Sequence, residues 1–243
     1  MELKDKVVVV VGATGGMGVE VCRALHKGGV KLILVARTEE KLKTLSAELG
    51  NCSFFVCDLG KPDTIAPVCT QIMANYPIVD VLLNVAGIGV YKPIEEVTET
   101  DWMDSFNTNV TASFLFTKYL LPALKQSPKA YVINWGSGMG VIPSAGRSVY
   151  CMTKFALRGV SLSLAKEFEG TNVNVVHLTL GSVLTDFGPM TLKEKETENL
   201  EGKAYLTPQY VAGKVVEIIS SDQADSEVPI FPTGYEEEMK RLS

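Results

Sequence analysis

Apolar positions along this chain follow two rhythms. Val7 to Val11 is an unbroken β-branched run, which predicts a strand buried on both faces. Comparable short runs at 31–36, 53–57, 80–84, 130–135, 173–179 and 228–231 complete a set of seven predicted strands. Between them, apolar residues recur at helical spacing. Val21 and Leu25, with Cys22, mark the inner face of a helix that Gly28-Gly29 ends. Thr38-Glu39-Glu40 has the form of an N-cap with first-turn acids, and Pro62-Asp63 opens a third helix. Trp102, Phe106, Val110, Phe114 and Leu121 predict one long helix from Asp101 to Gln126, with a kink at Pro122. Strands alternating with helices over residues 1–243 predict a single α/β domain with a doubly wound parallel sheet. Residues 187–204 break the pattern, being rich in Lys, Glu, Thr and Asn. They read either as a mobile surface insertion or as a cover over a site.

Composition narrows the function classes. With 46% apolar content over 243 residues, the chain can bury a large core. A net charge of −5 without a basic run argues against a nucleic-acid surface. The first six residues are charged and carry no signal-peptide core. No apolar run approaches the ~20 residues that cross a bilayer, so no membrane span is predicted and a cytoplasmic location is expected. Five cysteines without a C-x-x-C make a disulfide framework or zinc site unexpected. His26 and His177 lie too far apart to suggest a metal centre, so no metal is expected.

Two clusters carry chemistry. Gly12-Ala13-Thr14-Gly15-Gly16-Met17-Gly18 joins the first strand to the first helix. Glycine permits a tight turn and close approach of backbone to diphosphate, and the helix N-terminus offers free N–H groups. Tyr150 and Lys154 lie four residues apart, on one helix face. A nearby ammonium is expected to lower the phenol pKa by roughly 1–3 units, which suits proton transfer with a carbonyl or alcohol. With no His near this pair, a Ser-His-Asp hydrolase is hard to build.

The spacing G-x-x-x-G-x-G at Gly12, Gly16 and Gly18, together with Tyr150 and Lys154, resembles the short-chain dehydrogenase/reductase family over essentially the whole chain. Asn84-Val85-Ala86-Gly87 is similar to the family's N-N-A-G. Asn109 lies on the long central helix, and Ser137 follows the fifth strand. Asp58, with Leu59, follows the third strand, where the family contacts adenine. Gly181-Ser182-Val183-Leu184-Thr185 is similar to P-G-x-V-x-T, with Leu180 in place of Pro. Val11, Val85 and the run Gly136-Ser137-Gly138 depart from the usual pattern without removing an expected functional side chain.

The resemblance implies a Rossmann-type fold and a nicotinamide dinucleotide held by Gly12, Thr14, Gly15, Gly16, Met17, Gly18, Asp58, Leu59, Asn84, Ala86, Gly87, Gly181, Val183 and Thr185. It implies that Tyr150 exchanges a proton with the substrate oxygen and that Lys154 tunes Tyr150 and binds the nicotinamide ribose. Ser137 would hold the carbonyl, and Asn109 would bind a water leading from Lys154 to solvent. The second strand ends Val35-Ala36-Arg37 without an acid. Arg37, aided by Thr38, would therefore pair with a 2′-phosphate, which points to NADP(H).

The substrate expected is a small carbonyl or alcohol compound, with Tyr91, Met139, Val141, Ile142, Phe187 and Met190 as pocket candidates. Arg147, three residues before Tyr150, reads either as an anion site or as a surface residue. By resemblance 187–204 is a lid, with Phe187, Met190 and Leu192 facing substrate and Lys193 to Glu196 facing solvent. Phe114, Leu115, Phe155, Leu162 and Leu164 predict an apolar face covered in a homo-oligomer, a tetramer or a dimer. A nucleotide-binding regulator or sensor without turnover stays open as the alternative.

Overall fold

The computed structural model describes residues 1–221 and 225–235. The first half runs β1 (Val7–Val11), α1 (Gly16–Lys27), β2 (Lys31–Ala36), α2 (Glu39–Glu48), β3 (Ser53–Val56), α3 (Ile65–Asn75) and β4 (Val81–Asn84). The second half runs α4 (Glu99–Phe106), α5 (Ala112–Leu124), β5 (Ala130–Trp135), α6 (Ser148–Glu167), β6 (Val173–Leu180), α7 (Leu192–Leu200), α8 (Pro208–Ser220) and β7 (Glu227–Ile230). The strands form one sheet in the order β3-β2-β1-β4-β5-β6-β7, every pair parallel. This is the doubly wound, seven-stranded arrangement that the alternation predicts.

Successive strand residues point to opposite faces, and both faces are buried. Val8, Val10, Leu32 and Leu34 pack on one side with Val21 and Leu25 of α1 and Val211 and Val215 of α8. Val9, Val11, Ile33 and Val35 pack on the other with Val68 and Ile72 of α3 and Phe116 and Leu120 of α5. The sheet thus needs uninterrupted apolar strands, which is why their sequence signal is so plain.

The chain winds outward from β1 to β3, then crosses back to lay β4 against the other edge of β1. Loops leaving the carboxyl ends of β1 and β4 diverge at this switch point and open a crevice. One predicted element differs. The long central helix is interrupted at Asn107–Thr111, which form a π-helical turn between α4 and α5. Such a turn carries an inserted residue, a perturbation the apolar spacing does not register. Segment 187–204 contains α7, opened by a reciprocal cap between Thr191 and Glu194. Among the expected apolar-face residues, Leu115 and Leu164 pack on the core, while Phe114 and Phe155 stay exposed. Among the described residues no helix is long and apolar enough to cross a membrane.

Candidate active site

The crevice at the switch point encloses about 1200 Å³. Its floor is the loop between β1 and α1. Gly12 has φ 88°, and a Cβ there would lie 2.7 Å from the Ala86 backbone. A Cβ on Gly18 would lie 2.2 Å from the Gly12 carbonyl oxygen. Only glycine lets these backbones close, and closure turns the first amides of α1, which lack helical partners, toward the crevice. Gly16 faces Thr185 across the gap, 3.3 Å from its methyl group if it bore a Cβ. Thr14, Gly15, Met17, Asp58, Leu59, Ala86, Gly87, Gly181 and Val183 line the same space.

At one end stands exposed Arg37. Its neighbour Glu39 is engaged 2.8 Å from Lys43, and Arg37 has no ion pair among the described residues. Two expected contacts lie elsewhere. Thr38 sits at the N-cap position of α2, makes no side-chain cap and does not line the crevice. Asn84 is buried between strands, its amide donating to Asn134 Oδ1 at 2.8 Å. Register Asn84↔Asn134 sets the two amides side by side, and this hydrogen bond engages Asn84 within the sheet.

At the other end Tyr150 and Lys154 lie on α6, both buried. Lys154 Nζ donates to the Trp135 carbonyl at 2.7 Å and lies 5.7 Å from the centre of the Tyr150 ring. Burial pulls the Lys154 pKa down to about 8. The Tyr150 phenol moves the opposite way from the expectation. Burial, then the neighbouring Tyr91, push it above its usual range, against a hydrogen bond from Ser137. A phenolate here would lose water on nearly all sides, and that penalty exceeds the opposing pulls of Ser137 and Arg147.

Ser137 Oγ accepts from the Met139 amide at 3.2 Å. Asn109 projects from the π turn, and both of its amide hydrogens are engaged. It donates to Ile88 O at 2.8 Å and Thr153 Oγ1 at 3.0 Å, and accepts from Ile88 N at 2.8 Å. It clamps the chain after β4 beside Lys154, and its two amide hydrogens are not free for a water.

Tyr91 and Phe187 flank Tyr150, with ring centres 5.6 Å and 5.8 Å away. Met139, Ile142, Met190 and Leu192 also line this end, whereas Val141 does not. Lys195, expected in solvent, is instead buried. It donates to the Thr185 carbonyl at 2.7 Å and to the Phe187 carbonyl. Two carbonyls converging above α7 offer an ammonium acceptors that its place in a charged run does not reveal. The Trp135 carbonyl and the inward Lys195 were missed by sequence reading, because backbone acceptors leave no sequence signal. Among the described residues no three His, Cys, Asp or Glu side chains converge as a metal site.

A glycine-floored crevice at the switch point, ending at a buried Tyr–Lys pair, marks a nucleotide-dependent oxidoreductase of Rossmann type. Comparison with known proteins makes the family explicit. Residues 6–196 match the model for short chain dehydrogenases, and the chain belongs to that family. It is 32% identical over 215 residues to the NADP-dependent 3-hydroxy acid dehydrogenase YdfG of Salmonella typhi, covering 86% of this chain and 87% of the other. Among solved structures, the closed form of serine dehydrogenase complexed with NADP+ superposes with a TM-score of 0.83 at 28% identity, covering 92% and 94%. An alcohol dehydrogenase from Thermococcus sibiricus complexed with 5-hydroxy-NADP gives a TM-score of 0.83 at 25% identity, covering 96% and 98%.

Proposed function

We propose that the protein is an NADP(H)-dependent oxidoreductase that interconverts a small carbonyl compound and its alcohol. The observation that carries this reading is Tyr150, buried at the crevice that Ser137 and Lys154 also line. The glycine floor fits a diphosphate, since side chains at residues 12 and 18 would collide with backbone. Arg37, free of ion pairs among the described residues, fits a 2′-phosphate. Gly16 and Thr185 face each other where the nicotinamide end would pass.

A nicotinamide held between the glycine floor and Thr185 would supply or accept the hydride. In reduction, Ser137 and Tyr150 hydrogen-bond the carbonyl oxygen, and Tyr150 gives it a proton as negative charge develops there. Lys154, charged and held by Trp135, stabilises the phenolate left behind. Asn109 acts by holding the loop after β4 in place. The run 187–204 covers the site, with Phe187 against Tyr150.

YdfG and serine dehydrogenase are named for hydroxy acids, so oxo acids and hydroxy acids are the first compounds to test. NADPH consumption with an oxo acid and ketone panel, repeated with NADH, tests the reading. Absence of turnover across the panel while NADPH binds would favour the non-catalytic alternative. The exposed Phe114 and Phe155 support a homo-oligomer, which light scattering at micromolar concentration tests.

A further inference from the structure

We infer that Arg147 anchors a carboxylate on the substrate, so that the enzyme selects oxo acids and hydroxy acids over neutral ketones and alcohols. The inference rests on the carbonyl–alcohol reading above and adds the substrate class and the residue that reads it.

The described arginines divide into two kinds. Arg23 pairs with Glu20 and Glu48, each at 2.6 Å, and Arg158 forks onto Glu227 at 2.7 Å and 2.8 Å. Arg37 and Arg147 have no carboxylate partner among the described residues, and both line the crevice. They stand at its two functional ends, Arg37 beyond β2 and Arg147 beside Tyr150. A guanidinium in a concave site with no carboxylate partner among the described residues is a receptor for an anion.

The other cations at the Tyr150 end are committed. Lys154 donates to the Trp135 carbonyl. Lys195 donates to the Thr185 and Phe187 carbonyls, with Asp186 partly balancing its charge. Lys203 pairs with Glu198 at 2.6 Å. Arg147 is the one whose hydrogen-bonding edge is left over among the described residues.

Its position also fits. The guanidinium carbon lies 5.4 Å from the centre of the Tyr91 ring, and that ring lies 5.6 Å from the ring of Tyr150. Contact with the aromatic ring fixes the guanidinium and leaves N–H donors for a carboxylate. A substrate oxygen at Ser137 and Tyr150 and a carboxylate at Arg147 are thus separated by about the width of Tyr91. Tyr91 becomes the wall along which the substrate's carbon chain lies.

The test compares short 2- and 3-oxo acids with their methyl esters and primary amides, at saturating NADPH. The wild type is expected to favour acid over ester by about 10- to 100-fold in kcat/KM, the size of one charge-assisted contact. Arg147→Met should abolish that preference through KM, leaving kcat on acids and the rates on esters nearly unchanged. Arg147→Lys should restore part of it. A preference that survives in Arg147→Met, or esters used as well as acids by the wild type, overturns the inference. A binding arm separates this from failure of the catalytic reading. In Tyr150→Phe protein the acids are titrated by the fluorescence of bound NADPH, with and without Arg147→Met. Weaker acid binding in the double variant upholds Arg147 even without turnover, and equal binding refutes it.

Discussion

The imidazole of His177 stands where a side chain on residue 136 would have to be: a Cβ on Gly136 would lie 2.2 Å from His177 Nε2. His177 lies on β6, fully buried, with Nδ1 3.1 Å from Ser161 Oγ. Burial pulls its pKa down to about 4, so the ring is neutral at physiological pH. The two residues are complementary across neighbouring strands, and Gly136 immediately precedes Ser137. Gly136→Ala is expected to cost about 1–3 kcal/mol through overpacking. Adding His177→Ala should recover part of that loss, a coupling of order 0.5–3 kcal/mol. Thermal melts of the two single variants and the double variant measure it, and strict additivity would refute the contact.

Tyr150→Phe keeps the ring that packs on Tyr91 and Phe187 and removes the proton donor. Turnover should fall about 10²- to 10⁴-fold, the usual weight of general acid catalysis, while NADPH affinity stays within a few-fold. Near wild-type rates on a verified substrate would rule out the proposed role.

Lys154 gives a pH signature that is independent of substrate. Its pKa is about 8 in the fold, against about 10.4 in an unfolded chain. Between those values the unfolded state binds more protons than the folded one. Stability therefore rises with pH in that window as the penalty of a buried ammonium is relieved. Below about pH 8 both states are charged and the penalty is constant. The stability of the wild type minus that of Lys154→Met, from urea titrations, should climb from pH 8 toward 10. A flat difference would show that the ammonium is not desolvated.

Arg37→Asp replaces attraction by repulsion at the expected 2′-phosphate. NADPH should bind about 10- to 100-fold more weakly, with NADH changed far less. Calorimetric titration decides it, and a wild type that binds both cofactors equally tightly would remove Arg37 from the cofactor site.

Lys195 is a latch between α7 and the loop that carries Thr185 and Phe187. Lys195→Met removes both carbonyl contacts. Residues 185–192 should then exchange amide hydrogens faster, and kcat/KM should fall several-fold as Phe187 loosens from Tyr150. In the wild type NADP binding should slow exchange across 187–204. Equal, strong protection with and without ligand would make the segment a fixed element.

Much of this protein is determined locally, and local features are legible in a sequence. Residues buried on both sheet faces must all be apolar, so Val7–Val11 and its counterparts announce the strands and, by their alternation with helices, the parallel sheet. Gly12 and Gly18 announce a tight turn because backbone meets backbone there, while Gly16 makes room for the Thr185 side chain. Tyr150 and Lys154 share a helix face at any i, i+4 spacing. What the spacing could not contain is the surroundings of each group. The direction of the Tyr150 pKa depends on how much water the fold removes from it, and that burial outweighs the neighbouring charge. Lys195 turns inward because the loop before α7 folds the Thr185 and Phe187 carbonyls onto its ammonium, and Asn109 clamps Ile88 because β4 and the π turn converge. Gly136 is dictated by His177 and by the Leu178 carbonyl, which only the pairing of β5 with β6 brings alongside. Periodicity and turn chemistry act over a few residues and can be read in order, whereas solvation, acceptors and steric exclusion act through space and are decided by the fold.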